Sequence, residues 1–139
     1  MAFRDGGVLA LQVPDNLAEP SHVLMRTVAL EGAWAAKFAT PIAREIIPPI
    51  AAYYDRLKPH SARVEIWRTT YHHSLADAGA IVEMVRSTGL RPFLARLDKS
   101  EEDAFLIDYR ARIAEAYQLM ADGRVLLPFP RLFVVAVRT

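Results

Sequence analysis

Histidine, arginine and carboxylate side chains are the first groups in this chain to consider for chemistry. Its 139 residues include no cysteine. Without cysteine there is neither a disulfide framework nor a thiolate nucleophile, and a zinc ion would need histidine and carboxylate ligands. His72 and His73 are adjacent, and adjacent residues on a strand point to opposite faces. Because no third ligand follows at a suitable spacing, we predict no metal site.

Other polar residues lie where strands are predicted to begin or end. Arg131 stands between Pro130 and an apolar run, and a charge at the mouth of a strand needs a partner or a ligand. Asp15 and Asn16 follow another apolar run, where they either lie beside a site or only make an Asx-type turn.

Three strands are predicted to position these residues. Val8–Val13 is apolar without alternation, which is typical of a strand covered on both faces in a mostly parallel sheet. A period of two begins at Arg63 and continues through Tyr71. The last strand should pair regularly only from about Leu132, because the prolines before it cannot donate to a ladder.

Helices are predicted between the strands, from proline, capping and periodicity signals. We expect a helical stretch from Pro20 through Ala39 that Gly32 interrupts, a helix with an apolar stripe from Ile50 to Leu57, one from Ser74 to Gly89 and one from Ser100 to Gly123. This order predicts an α/β fold in a single domain, 1–139. Three strands leave a face or an edge bare, so we expect a missing partner in cis or in trans.

The composition excludes several classes of protein. Hydrophobic residues make up 53% and charged residues 24% of the chain, as in ordinary globular domains. A net charge of +1 gives no reason to expect nucleic acid or an anionic membrane surface as a partner. The apolar runs are of strand length and the N-terminus lacks the pattern of a signal peptide. We therefore predict a cytoplasmic protein with no nucleic-acid and no membrane partner.

Six blocks in collinear order resemble the C-terminal half of one family, the S-adenosylmethionine-dependent trans-aconitate 2-methyltransferases. The blocks are GGVLALQVPDN, EPSHVLMR, AAYYDRL, VEIWRTTYHH, TGLRPFLARL and LLPFPRLFVVA. The resemblance implies a doubly wound class I methyltransferase sheet, of which this chain would hold strands five, six and seven. The last strand would lie antiparallel between the other two, with a helical cap at about 74–123.

The resemblance also implies that part of the enzyme is missing from this chain. Such enzymes bind S-adenosylmethionine with a glycine-rich loop after the first strand and an acidic residue after the second. None of the six glycines here forms such a loop. We expect S-adenosylmethionine as the cofactor of the full-length family, no cofactor for this chain alone, and no activity of this chain alone.

In the implied topology the strand ends converge at one rim, which would bind a polycarboxylate substrate. The carboxylate that accepts the methyl group is already ionised at pH 7, so we assign no catalytic residue. Arginine forks, imidazoles and hydroxyls would hold the remaining carboxylates. The candidates are Arg131, His72, His73, Tyr71, Arg68, Arg91, Asn16 and Asp15. Arg91, before Pro92, could instead fasten a helix end, and Trp67, Tyr53 and Tyr54 are predicted to lie in the core.

Three functions follow from these observations. The leading hypothesis is methyl transfer from S-adenosylmethionine to a carboxylate of trans-aconitate or a similar polycarboxylate, with the missing N-terminal half completing the enzyme. The second is a non-catalytic module in which a second copy covers the exposed strand. The third is a protein that binds small acids without the methyl donor.

Overall fold

The computed structural model describes residues 4–139, which divide into two compact units. The first unit comprises 4–16, Glu45–Tyr71 and Phe129–Thr139. The second comprises Leu17–Arg44 and His72–Pro128, so the helical cap predicted at about 74–123 lies inside it together with an earlier segment of the chain.

Three strands, five α-helices and two short 3-10 helices make up the part of the chain that the structure describes. The strands are β1 (Val8–Pro14), β2 (Ser61–Leu75) and β3 (Val125–Arg138); the helices are α1 (Pro20–Glu31), α2 (Ile50–Leu57), α3 (Ala78–Arg86), α4 (Arg91–Leu94) and α5 (Lys99–Ala116), with 3-10 turns at Ala35–Phe38 and Lys58–His60. The strand order is β1-β3-β2, with β1 and β3 antiparallel. The predicted α/β class and the insertion of the last strand between the other two are confirmed.

The pairing of β1 with β3 begins where the prolines of β3 end. Pro14 lies opposite Arg131, Val13 opposite Leu132, and the ladder continues to the pair Val8 and Val137. Pro130 has no N–H to donate, but its carbonyl accepts a hydrogen bond from the Asp15 N–H at 2.9 Å. The predicted start of regular pairing near Leu132 agrees with the ladder to β1 alone, because β3 itself already begins at Val125 and includes Pro128 and Pro130.

β1 is an edge strand in the described residues, which corrects the prediction that it is covered on both faces. It pairs with β3 alone, and its residues alternate between exposed and half-buried, with Val8 62% exposed. Leu9 and Leu11 face a groove whose far wall is formed by α2, while the alternate residues have no such cover. The unbroken apolar run Val8–Val13 predicted a strand covered on both faces, and this prediction of its surroundings is wrong.

Two helix starts lie a few residues from their predicted positions. Asp77, not Ser74, caps α3, since its side chain accepts a hydrogen bond from the Ala80 N–H at 2.9 Å. Asp98 caps α5 in a reciprocal capping box with Glu101. Both helices begin at an aspartate because its short carboxylate reaches the free N–H groups of the first turn.

The second unit has its own hydrophobic core, built on α1, α3 and α5. Fully buried side chains in it include Met25, Val28, Ile81, Leu90, Phe93, Phe105, Tyr109 and Ile113. The start of α1 is held by two tyrosine hydroxyls: Tyr109 donates to the Ser21 carbonyl at 2.8 Å, and the Ser21 N–H donates to the Tyr117 oxygen at 3.0 Å. Each buried hydroxyl thus has a partner.

The predicted core placement of the first unit's large aromatic residues is wrong. Trp67 is 44% exposed and stacks on Phe133 with ring centroids 5.3 Å apart. Tyr54 is also exposed, and Tyr53 is half-buried beside the α2 groove.

Within residues 4–139, no helix combines the length and apolar character needed to cross a bilayer.

Candidate functional site

Asp15 and Arg68, two of the predicted site residues, form an ion pair at the end of β1. Arg68 Nε lies 2.5 Å from Asp15 Oδ2, and the Arg68 side chain is 53% exposed. The Asp15 N–H donates to the Pro130 carbonyl, and this hydrogen bond fixes the backbone from which the carboxylate extends. Arg68 already has a carboxylate partner in the protein, and a ligand carboxylate would have to compete with Asp15 for its guanidinium.

Arg131 lies at the same end of β1, opposite Pro14 in the ladder. Its Nε donates to Gln12 Oε1 at 3.1 Å, and its guanidinium lies over the Phe129 ring, 5.5 Å from the centroid. Both of these partners are neutral. They orient the half-buried guanidinium but leave its charge available to an anion.

The histidines lie inside a strand and not after it, because β2 continues to Leu75. His72 and His73 are exposed successive residues of that strand, and they belong to the second unit. Tyr71, also exposed, is the last residue of the first unit's part of β2. The prediction that Tyr71 to His73 follow the end of a strand is therefore wrong, whereas their roles stay a prediction.

The remaining predicted residues sit at element boundaries. Asn16 is half-buried and is the last residue of the first unit's opening segment. Arg91 is the exposed first residue of α4 in the second unit, and its N–H donates to the Thr88 carbonyl at 3.2 Å. The structure thus gathers Asp15, Arg68 and Arg131 at the end of β1.

A second cationic cluster, which the sequence analysis missed, lies in the second unit. His22 and Arg26 are separated by four residues on α1, and Arg44 influences the protonation of His22. Burial, then Arg44, then Arg26 lower the pKa of His22 from 6.5 to about 4. The i, i+4 spacing in HVLMR was the signal that could have identified the first two members.

Among residues 4–139, no three histidine, aspartate or glutamate side chains come together as a set of ligands.

The described glycines do not fit a loop that binds S-adenosylmethionine. Gly6 and Gly123 have positive φ, but Gly6 precedes β1 and Gly123 lies in the turn before β3, so neither leads from a strand into a helix. A Cβ at Gly32, Gly79 or Gly89 would instead meet side chains of this chain at 2.1 to 2.9 Å. At these three positions side chains of this chain lie against the glycine backbone.

The comparisons with known proteins identify the relatives of this chain. No family model matches it. A protein of Rhodopseudomonas palustris (strain BisB18) is 54% identical over 138 residues, which cover 99% of this chain and 54% of that protein. Proteins of Agrobacterium fabrum (52% identical, 98% of this chain and 54% of the protein) and Methylobacterium radiotolerans (56%, 94% and 52%) match similarly.

Identity at this level along nearly the whole chain makes it a relative of methyltransferases. All three relatives carry the name trans-aconitate 2-methyltransferase, so the resemblance drawn from the six sequence blocks is confirmed. The chain spans about half the length of the curated relatives it matches.

Proposed function

We propose that this chain forms the substrate-side, C-terminal part of an enzyme that transfers a methyl group from S-adenosylmethionine to a carboxylate of trans-aconitate or a similar polycarboxylate. The observation that carries the proposal is the 54% identity with the Rhodopseudomonas palustris protein named trans-aconitate 2-methyltransferase, over 99% of this chain. A cytoplasmic location belongs to the same proposal.

The chemistry suits the cationic residues at the end of β1. A carboxylate with a pKa near 4 is ionised at pH 7 and needs no general base. The protein's task is to hold the acid in position and to exclude water. Arg131, whose partners Gln12 and Phe129 are neutral, supports this role best, because a ligand carboxylate can pair with it without displacing an acidic side chain.

The cofactor belongs to the other part of the proposed enzyme. S-adenosylmethionine supplies the methyl group on a sulfonium sulfur, and the glycines of residues 4–139 do not fit a loop that would hold it. In this proposal the unmatched part of the relatives contributes the cofactor site, and this chain alone is inactive. The unmatched part also contributes a strand that pairs with the open edge of β1.

The test is a fusion of this chain to the part of the Rhodopseudomonas palustris protein that it does not match. The fusion should convert trans-aconitate to a monomethyl ester, detected by mass spectrometry, when S-adenosylmethionine is supplied. In the fusion Arg131→Gln should raise KM for trans-aconitate about tenfold, the discrimination expected of one charge-assisted contact. The matched control Arg63→Gln, on an exposed arginine of β2, should leave KM unchanged.

One result would contradict the proposal directly. If the folded fusion binds S-adenosylmethionine and yet methylates neither trans-aconitate nor another polycarboxylate, the assigned substrate class is wrong. Titration of this chain alone with trans-aconitate tests the related alternative of a small-acid-binding protein, which a lack of heat and of shift changes would exclude.

The open edge of β1 favours a second candidate, a non-catalytic module that associates with itself. β1 pairs with β3 alone among the described strands, and edge-to-edge pairing with a second copy would satisfy its other side. Sedimentation of the purified chain checks this candidate. A well-folded species that stays monomeric at high concentration excludes it.

A further inference from the structure

The second unit contains a cluster of His22, Arg26 and Arg44 that the proposed function does not use. The Arg44 guanidinium is fixed in place: Nη2 donates to the Gly89 carbonyl at 2.7 Å, and the group lies over the Phe93 ring at 5.4 Å from the centroid. His22 lies against the same turn, since its Cε1 would be 3.1 Å from a Cβ built on Gly89. Arg44 and His22 therefore share one packed surface.

Two nitrogen atoms of this cluster have no hydrogen-bond partner. His22 Nδ1 and Arg44 Nε are both buried and both unpaired among residues 4–139. A buried polar group without a partner is destabilising, so such groups are uncommon unless something else satisfies them. Two orphaned nitrogen atoms in one cluster indicate a place for a ligand that accepts hydrogen bonds.

The charges in the cluster are of one sign. The groups that act on His22 are Arg44 and Arg26, and burial and Arg26 lower the pKa of Arg44 as well. No carboxylate of the described residues contributes to either group. Arg26 is exposed, and its Nη2 donates to the neutral Leu17 carbonyl at 3.3 Å. The positive charge of the two guanidinium groups is thus not neutralised locally.

We infer that His22, Arg26 and Arg44 form a binding site for an oxyanion, and that this oxyanion is a carboxylate of a small polycarboxylate. The Nη2 of each arginine already donates to a backbone carbonyl, but the other guanidinium nitrogens and the imidazole of His22 can still donate to a ligand. A carboxylate supplies acceptor oxygens and the missing negative charge. The choice of a carboxylate over a phosphate rests on the proposed function, whereas the oxyanion site rests on the cluster alone. The carboxylate bound here would anchor the polycarboxylate, and a different carboxylate of the same molecule would accept the methyl group.

The experiment follows the His22 imidazole of the intact 139-residue chain by proton NMR between pH 3.5 and 8. His22→Gln identifies its signal among the four histidines. Without a ligand, His22 should titrate near pH 4. Saturating trans-aconitate should raise this midpoint by at least one pH unit, because a nearby negative charge favours the imidazolium. The addition of trans-aconitate should not shift the signals of His60, which lies in the first unit.

Variants establish which residues bind the anion. Arg26→Gln should weaken trans-aconitate binding about tenfold, because it removes one charge from an exposed side chain, whereas Arg110→Gln on α5 should leave binding unchanged. Arg44→Lys keeps a charge but removes the fork and should also weaken binding. It is a second, independent test in case a larger change at Arg44 prevents folding.

The remaining arms separate the possible outcomes. If inorganic phosphate moves the His22 midpoint and trans-aconitate does not, the site binds an oxyanion but the carboxylate assignment is wrong. If neither ligand moves it in a folded sample, or if Arg26→Gln binds as well as the parent chain, the inference is overturned. No methyl transfer is measured, so failure here is distinguishable from failure of the proposed function in the fusion assay.

Discussion

His22 makes the stability of this chain depend on pH in a way that one substitution should reveal. Burial and the nearby charges of Arg44 and Arg26 lower its pKa in the folded protein to about 4, against 6.5 in an unfolded chain. The unfolded state therefore binds more protons between these values, and stability rises with pH. The contribution is complete above pH 6.5 and is lost as the pH falls toward 4.

The magnitude follows from the same two pKa values. A fall from 6.5 to about 4 corresponds to at most about 3.4 kcal/mol at 1.36 kcal/mol per pKa unit. His22 is only partly buried, so solvent screening reduces this figure, and we take about half. Between pH 7 and pH 5, where much of the unfolded state becomes protonated, the expected loss is about 1 kcal/mol.

Urea unfolding of the chain and of His22→Gln at pH 7 and pH 5, in a buffer without polycarboxylates or phosphate, measures the effect. The substitution should reduce the pH dependence by about 1 kcal/mol, because glutamine does not titrate. His60→Gln, at an exposed histidine, is the matched control for the substitution of histidine by glutamine itself. An identical pH dependence in His22→Gln and the parent chain would refute the reasoning, because it would mean that His22 is protonated equally easily in both states.

Three further predictions concern single contacts. Tyr109→Phe should lower the free energy of unfolding by about 1 kcal/mol, because it removes the buried hydrogen bond from the Tyr109 hydroxyl to the Ser21 carbonyl. Asp98→Ala should lower it by about 1 kcal/mol through loss of the α5 cap, whereas Asp103→Ala, at an exposed pair in the same turn, should change it by less than about 0.5 kcal/mol. Arg68→Gln should change it by at most about 1 kcal/mol, and less in high salt, since its ion pair with Asp15 is partly exposed. Chemical denaturation checks all three, and a loss above 2 kcal/mol for Arg68→Gln would contradict the last.

Local patterns in the sequence predicted most of the secondary structure. The proline at the start of α1 predicted where that helix begins, and the apolar stripe predicted α2 from Ile50 to Leu57, since these signals act within one turn. The predicted starts of α3 and α5 at Ser74 and Ser100 were wrong, because several serine and aspartate residues near each start could fill the same role. Only the backbone geometry selects Asp77 and Asp98.

The environments of side chains were harder to predict, because they depend on what packs against each element. Val8–Val13 and Trp67 have the residue types of a covered sheet, yet β1 is an edge strand and Trp67 is largely exposed. The cluster of His22 and Arg44 was missed for the same reason. Residues 22 and 44 are far apart in sequence, and no periodicity connects them.

The open edge of β1 also affects how a preparation of this chain should behave over time. The segment from Val8 to Val13 is six residues long, uncharged and free of proline, the composition of segments that stack into cross-β fibrils. Pro14 ends this segment and limits the growth of a ladder in that direction. Samples concentrated without a partner for this edge should therefore accumulate fibrillar aggregates, and a lysine introduced at the exposed Ala10 should delay them by repelling neighbouring copies.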